Sequence, residues 1–153
     1  MLITTSNNFK SISYGLYNFE IDLSWLNGIE YTFKNELHYR SYQEYYGKPV
    51  QIVNILQINN KMRNSTTPIF NSKTKLNGEI ISPMERTVKI LCGFENGEKI
   101  KPIYLKREEN TDECSNLFKT IDGCHRIHCS IIYGFKSIPA VIYQEGECHP
   151  VSD

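Results

Sequence analysis

Apolar and polar residues alternate through Phe19, Ile21, Leu23 and Trp25, then again through Ile29, Tyr31 and Phe33, with Asn27-Gly28 between the two runs. Strict alternation puts successive side chains on opposite faces of a strand, and Asn-Gly suits a two-residue turn, so the pattern predicts a β-hairpin. A helix carrying Ile29, Phe33 and Leu37 on one face is the competing reading and ranks second. Glu36 to Tyr46 crowds Tyr39, Tyr42, Tyr45 and Tyr46 together without a clear period, and Gly47 and Pro49 end that stretch. Val50 to Ile58 reads as a buried strand. Asn59 to Gly78, rich in Asn, Lys, Ser and Thr, reads as a loop or an insertion.

Further along, Ser82-Pro83-Met84-Glu85 has the form of a helix entry, with Ser at the N-cap, Pro at the first helical position and Glu at the third. The helix is expected to run to about Cys92 and stop near Gly93. Strands follow at Pro102 to Lys106, Phe118 to Ile121 and Ile138 to Tyr143, with a charged loop from Arg107 to Asn116. A short helical pattern after Asp122-Gly123 ends at Gly134, and the residues from Glu145 onward read as a tail. No internal repeat is visible.

Bulk composition narrows the function classes only mildly. The 153 residues, 40% hydrophobic and 22% charged, suit one soluble domain with a real core and are short for two. Seventeen basic residues against seventeen acidic ones leave no net charge, so nonspecific nucleic-acid binding gets no general electrostatic help. The first residues, MLITTSNNFK, lack the basic and apolar regions of a secretory signal, and no apolar stretch has membrane-spanning length. Five cysteines without a framework spacing fit reduced thiols, and the expected location is cytoplasmic.

The chemistry concentrates in Asp122-Gly123-Cys124-His125-Arg126. A Gly between a strand and a helix lets backbone N–H groups approach an anion closely, and the helix start adds roughly half a positive charge. Arg126 can fork two phosphate oxygens, and His125 can donate from a ring nitrogen. Cys124 sits in the same positive field, which favours a reactive thiolate. Asp122 is placed to orient His125 or to help hold Mg²⁺ beside phosphates. Each residue also has a plain structural reading: a turn pair at Asp122-Gly123, a small helix-start residue at Cys124, a core position at Cys129. His128 is expected to face solvent or an acidic neighbour. A zinc site built from Cys124 and His128 with Cys114 and Cys148-His149 is conceivable, but no Cys-x-x-Cys pair supports it.

This motif, with Cys129, Gly134, Ile138-Pro139 and Val141, resembles the ParB/sulfiredoxin superfamily, whose pattern is Gly-x-His-Arg or Gly-x-Arg-Arg, a small residue three positions on, a helix-closing Gly and an Ile/Val-Pro strand. Ser82 to Tyr104 extends the likeness, which covers roughly residues 80–143. The resemblance implies an α+β fold, a small mixed sheet with short helices, in residues 50–153. Residues 1–49 stand outside it as a β-rich N-terminal extension packed on the core. It also implies a nucleoside triphosphate, ATP or CTP with Mg²⁺, near the Gly-x-His-Arg turn. The superfamily includes ATP-using sulfiredoxins, CTP-binding segregation proteins, a free-serine kinase and proteins labelled as nucleases. Gly123, His125 and Arg126 match phosphate-contacting positions, and Cys124 matches the sulfiredoxin cysteine. Arg86 and Thr87 fall near the first motif, while Val88 and Cys92 stand where hydroxyl side chains are expected.

The leading functional expectation is therefore nucleotide binding with phosphotransfer or nucleotide hydrolysis, with Asp122, Cys124 and His125 as catalytic candidates. Two others are carried beside it. One is a DNA-binding or nuclease member, with Lys61 to Lys75 as a local basic arm. The other is a non-catalytic protein-binding module or inhibitor that uses the aromatic N-terminal region as its partner surface.

Overall fold

Residue pairs between Tyr104 and Asp122, and between Tyr104 and Val141, fix the middle of a five-stranded mixed sheet. The computed structural model describes residues 2–6, 9–14, 17–22, 37–59, 74–76, 79–81, 83–107, 118–144 and 146–148. In chain order its elements are β1 (Leu2–Ser6), β2 (Phe9–Tyr14), β3 (Tyr17–Asp22), β4 (Glu44–Tyr45), β5 (Lys48–Pro49) and β6 (Gln51–Asn54). A 3₁₀ turn at Ile55–Gln57 leads to β7 (Ile58–Asn59), β8 (Thr74–Leu76) and β9 (Glu79–Ile81). The remainder is α1 (Pro83–Glu95), β10 (Ile103–Arg107), β11 (Phe118–Asp122), α2 (Cys124–Tyr133) and β12 (Ser137–Tyr143). The central order is β6-β12-β10-β11-β7, with β12 parallel to β10, β11 parallel to β7 and the other pairs antiparallel. This is the expected α+β class.

The sheet must be strongly curled. β6 and β7 hold its opposite edges, yet only the three residues of the 3₁₀ turn separate them. Four strand spacings in a flat sheet span about 19 Å. The four residue steps from Asn54 to Ile58 reach about 14 Å at most. The chain closes that gap only if the edges approach each other. Val50 to Ile58 is thus two edge strands and not one buried strand. The Asn54 side chain accepts from the Leu56 N–H at 2.9 Å, and the Ile55 N–H leaves the ladder for the Lys136 carbonyl at 3.0 Å. A short polar side chain that offers the backbone a local partner competes with continued pairing.

The strand period sorts the two faces. Ile103 and Leu105 of β10, with Ile138, Ala140 and Ile142 of β12, join the core that includes Ile90, Leu91 and Phe94 of α1 and Ile127 and Ile131 of α2. Tyr104, Val141 and Tyr143 point the other way and are covered by Tyr45, Val50 and Ile121. On α1, Thr87, Ile90, Leu91 and Phe94 are buried at helical spacing while Glu85 and Lys89 are exposed.

The helix does not stop at Gly93. It continues to Glu95 and closes on Gly97, whose φ is +68°. Glu98 N–H donates to the Gly93 carbonyl at 3.0 Å and Gly97 N–H to Phe94 at 3.2 Å, the two bonds of a Schellman cap.

Upstream residues are tied to this core. Tyr39 is buried, stacks on Phe94 at 5.0 Å and donates its hydroxyl to the Lys101 carbonyl at 2.9 Å. The tyrosine cluster splits, with Tyr39 in the core, Tyr45 half-buried against Tyr104, and Tyr42 and Tyr46 exposed. Tyr46 and Gly47 both have positive φ, as the two central residues of a type I′ hairpin turn require. β1, β2 and β3 form a separate antiparallel sheet, and Tyr14 packs against the core. Phe19 and Ile21 are in β3, which pairs with β2, whereas Asn27-Gly28 lies outside the described residues, as does the charged loop after Arg107. The stretch read as a loop from Asn59 to Gly78 contains β8, paired with β9.

Candidate functional site

Gly123 sits between β11 and α2 with φ +120° and ψ 22°, a conformation closed to residues with a Cβ. A Cβ there would lie 2.4 Å from Ile103 Cγ2 and 2.7 Å from Ile103 Cβ. The glycine is therefore required by the packing of the turn on β10. α2 starts at Cys124 and ends at Gly134 in the left-handed region, with the sequence-predicted boundaries.

Arg126 lies in the first turns of α2 and is only 2% exposed. Its Nη1 donates to the Pro102 carbonyl at 2.8 Å and the Lys101 carbonyl at 3.1 Å, and its Nη2 donates to Asp122 Oδ2 at 2.9 Å. The guanidinium staples the turn to the segment that enters β10, and Arg126 is also among the residues that line a cleft. The carboxylate of Asp122 is engaged by that staple.

His125 is largely buried, and its pKa is pushed down to about 4 by loss of solvent first, then by Arg86 and Arg126, against a smaller opposing pull from Asp122. It is neutral at pH 7. His128 does not face solvent. It is 1% exposed, its pKa is pushed down to about 3 by burial and by His125, and it is hydrogen-bonded to the Cys124 backbone. The i, i+4 spacing of Cys124 and His128 serves that bond within the helix. Cys124 is half-buried, and Cys129 lies in the core with its thiol pKa raised by burial. Thr87 is fully buried, and its Oγ1 has no hydrogen-bond partner among the described residues. No group of three His, Cys, Asp or Glu side chains able to hold a metal occurs among the described residues; Cys114 and His149 lie outside them.

A cleft of about 550 Å³ opens beside the Arg126 end of the turn. α1 contributes Arg86, Lys89 and Ile90, and the segment between α1 and β10 contributes Glu98, Lys99, Ile100 and Lys101. Tyr42 and Tyr45 form an aromatic wall, and Arg126 closes the inner end. Tyr42 and Tyr45 stack at 5.5 Å, and Lys99 Nζ lies 5.8 Å from the Tyr42 ring centroid. The cations are Arg86, Lys89, Lys99, Lys101 and Arg126, against the single carboxylate of Glu98. Of the candidates read from sequence, Arg86 and Arg126 line this cleft, whereas Gly123, Cys124, His125, Asp122 and Thr87 are not among its lining residues. Lys89, Lys99, Lys101, Tyr42 and Tyr45 were missed. The usable signal was Lys99-Ile100-Lys101, an alternating basic pair just ahead of a strand.

No protein-family model matches the chain, and no curated protein matches it. Among solved structures, the sulfiredoxin from Arabidopsis thaliana is similar over 62% of this chain and 84% of that chain, with 14% sequence identity and a TM-score of 0.39.

Proposed function

We propose that the protein binds a nucleoside triphosphate, ATP or CTP, in the cleft between α1 and the β4–β5 hairpin, and uses it for phosphoryl transfer or hydrolysis. The observation that carries this reading is the gathering of five cationic side chains and two stacked tyrosines around one cleft in a chain of zero net charge. Its volume, about 550 Å³, falls within the range of small-molecule sites. Lysine and arginine provide point charges and planar forks for phosphate oxygens, and a tyrosine face accepts a base. The Gly-x-His-Arg resemblance around Gly123 supports the same ligand class.

In this reading Lys89 and Lys101 meet the phosphates, Arg86 and Arg126 supply the field at the inner end, and Tyr42, with Lys99 beside its ring, supports the base. A Mg²⁺ ion bound with the triphosphate would supply further charge neutralisation. Asp122 is held by Arg126 and is not among the residues lining the cleft, so a Mg²⁺ ion would be held there chiefly by the phosphates themselves. His125, neutral beside Arg86 and Arg126, and Cys124 stand at the start of α2 outside the cleft lining, as the candidate proton acceptor and the candidate phosphoryl acceptor.

Isothermal titration with ATP and CTP in the presence of Mg²⁺ tests the binding step. Saturable binding that weakens in the Lys89→Ala, Lys99→Ala double variant is expected. No binding, or binding indifferent to the double variant, overturns the reading.

A further inference from the structure

The cleft has two chemically different ends. Arg86 and Arg126 both act on His125 and mark the end beside the turn. Lys99 lies over the Tyr42 ring and marks the aromatic end. Glu98 precedes Lys99, and its carboxylate reaches back along the helix terminus, since a Cβ on Gly93 would come within 3.2 Å of Glu98 Oε2. It is the only carboxylate among the described residues lining the cleft, and it forms no ion pair or side-chain hydrogen bond with any described residue. An exposed acid that pairs with none of the cations sharing its cleft is an acceptor left available to a ligand.

An ionised carboxylate only accepts hydrogen bonds. In a cleft that also holds a ring-binding wall, it favours a base that presents an amine and disfavours one that presents a carbonyl at the same place. We propose that Glu98 determines base specificity, accepting from the exocyclic amine of cytosine or adenine while the ring lies against Tyr42. This inference rests on the nucleotide reading of the cleft. Uracil and hypoxanthine put an oxygen where those amines stand, and two acceptors facing each other repel. The role differs from that of the lysines, which meet charge common to every nucleotide.

The test uses two matched pairs, CTP against UTP and ATP against ITP, together with inorganic tripolyphosphate, on the full chain and on Glu98→Gln. Glu98 is exposed, so the substitution leaves folding intact. The intact protein is expected to prefer CTP and ATP by roughly tenfold or more over their partners, the scale of one hydrogen bond to a charged group. Glutamine offers both a donor and an acceptor, so both preferences should collapse towards unity while tripolyphosphate binds at least as tightly. Equal affinity within each pair, or a preference that survives Glu98→Gln, overturns the assignment of Glu98 while tripolyphosphate binding keeps the nucleotide reading. Loss of tripolyphosphate and nucleotide binding alike in the intact protein overturns both.

Discussion

Arg126 Nη2 donates to Asp122 Oδ2 at 2.9 Å, bridging the strand end and the helix start on either side of Gly123. The arginine is nearly sealed from solvent, whereas the Asp122 side chain keeps 31% of its exposure. Sealing a cation costs desolvation, which here is offset by three acceptors, two of them carbonyls at the entry to β10. The motif's arginine is thus first a structural staple, and it lines the cleft as well.

Replacing Arg126 with Met keeps much of the volume and removes all three bonds. A loss of about 2–4 kcal/mol in urea-unfolding stability is expected. Asp122→Asn should cost less, about 1 kcal/mol, because the carboxylate is partly hydrated and the carbonyl contacts remain. A change under about 0.5 kcal/mol for Arg126→Met would show that the staple contributes nothing net.

Gly123→Ala meets two obstacles at once, a φ of +120° and the Ile103 side chain at 2.4 Å. The expected loss is about 3 kcal/mol or more, combining backbone strain with overpacking. Adding Ile103→Ala removes Cγ2 but keeps the Cβ, 2.7 Å from the new methyl carbon, and the dihedral, so the double variant should recover only part of the loss. Full recovery relative to Ile103→Ala would mean that sterics, and not the backbone, hold the glycine.

The strand–turn–helix unit was legible because its signals are local. Asp122-Gly123 marks the turn and Gly134 closes the helix, and both signals are carried by residues adjacent in the chain. The end of α1 was misread because Gly93 and Gly97 are both plausible stops, and tertiary packing chose between them. A buried mid-helix Gly93 costs only about 1 kcal/mol relative to Ala. Its missing side chain leaves room for Ile100 Cδ1, which a Cβ would approach to 3.0 Å. The break after Asn54 was also hidden, since an apolar run carries no sign of a partner such as the Lys136 carbonyl. The cleft was the least visible feature. It joins Tyr42, Lys89, Lys99 and Arg126, residues far apart in the chain, and no period or spacing links them.

His128 gives the fold a defined acid sensitivity. Its pKa is pushed from 6.5 to about 3 by burial, and that of His125 to about 4. The unfolded chain therefore binds more protons than the folded one below about pH 6.5, and stability falls with pH through that window until the folded values are reached. Each histidine can contribute a slope of up to about 1.4 kcal/mol per pH unit. Urea unfolding at pH 7.5, 6.0 and 5.0 should show the decline, and His128→Gln should flatten it. An unchanged slope in that variant would place the proton uptake elsewhere.

Under the proposed nucleotide reading, Tyr42 and Lys89 are expected to act on different halves of the ligand. Tyr42 lies on the aromatic wall with Lys99 above its ring, whereas Lys89 extends from the exposed face of α1 into the same cleft. Stacking on one aromatic ring contributes about 1–3 kcal/mol per base, so Tyr42→Ala should weaken ATP or CTP binding by roughly tenfold. Inorganic tripolyphosphate has no base to stack and should bind Tyr42→Ala nearly as well as the unaltered protein. Lys89→Ala should weaken both ligands together and reduce the salt dependence of each, because a solvated cation meets phosphate by screened attraction. Titrations at low and high salt distinguish these patterns. If Tyr42→Ala weakened tripolyphosphate as much as nucleotide, the ring would be supporting Lys99 and the shape of the cleft, and the base would have to lie elsewhere.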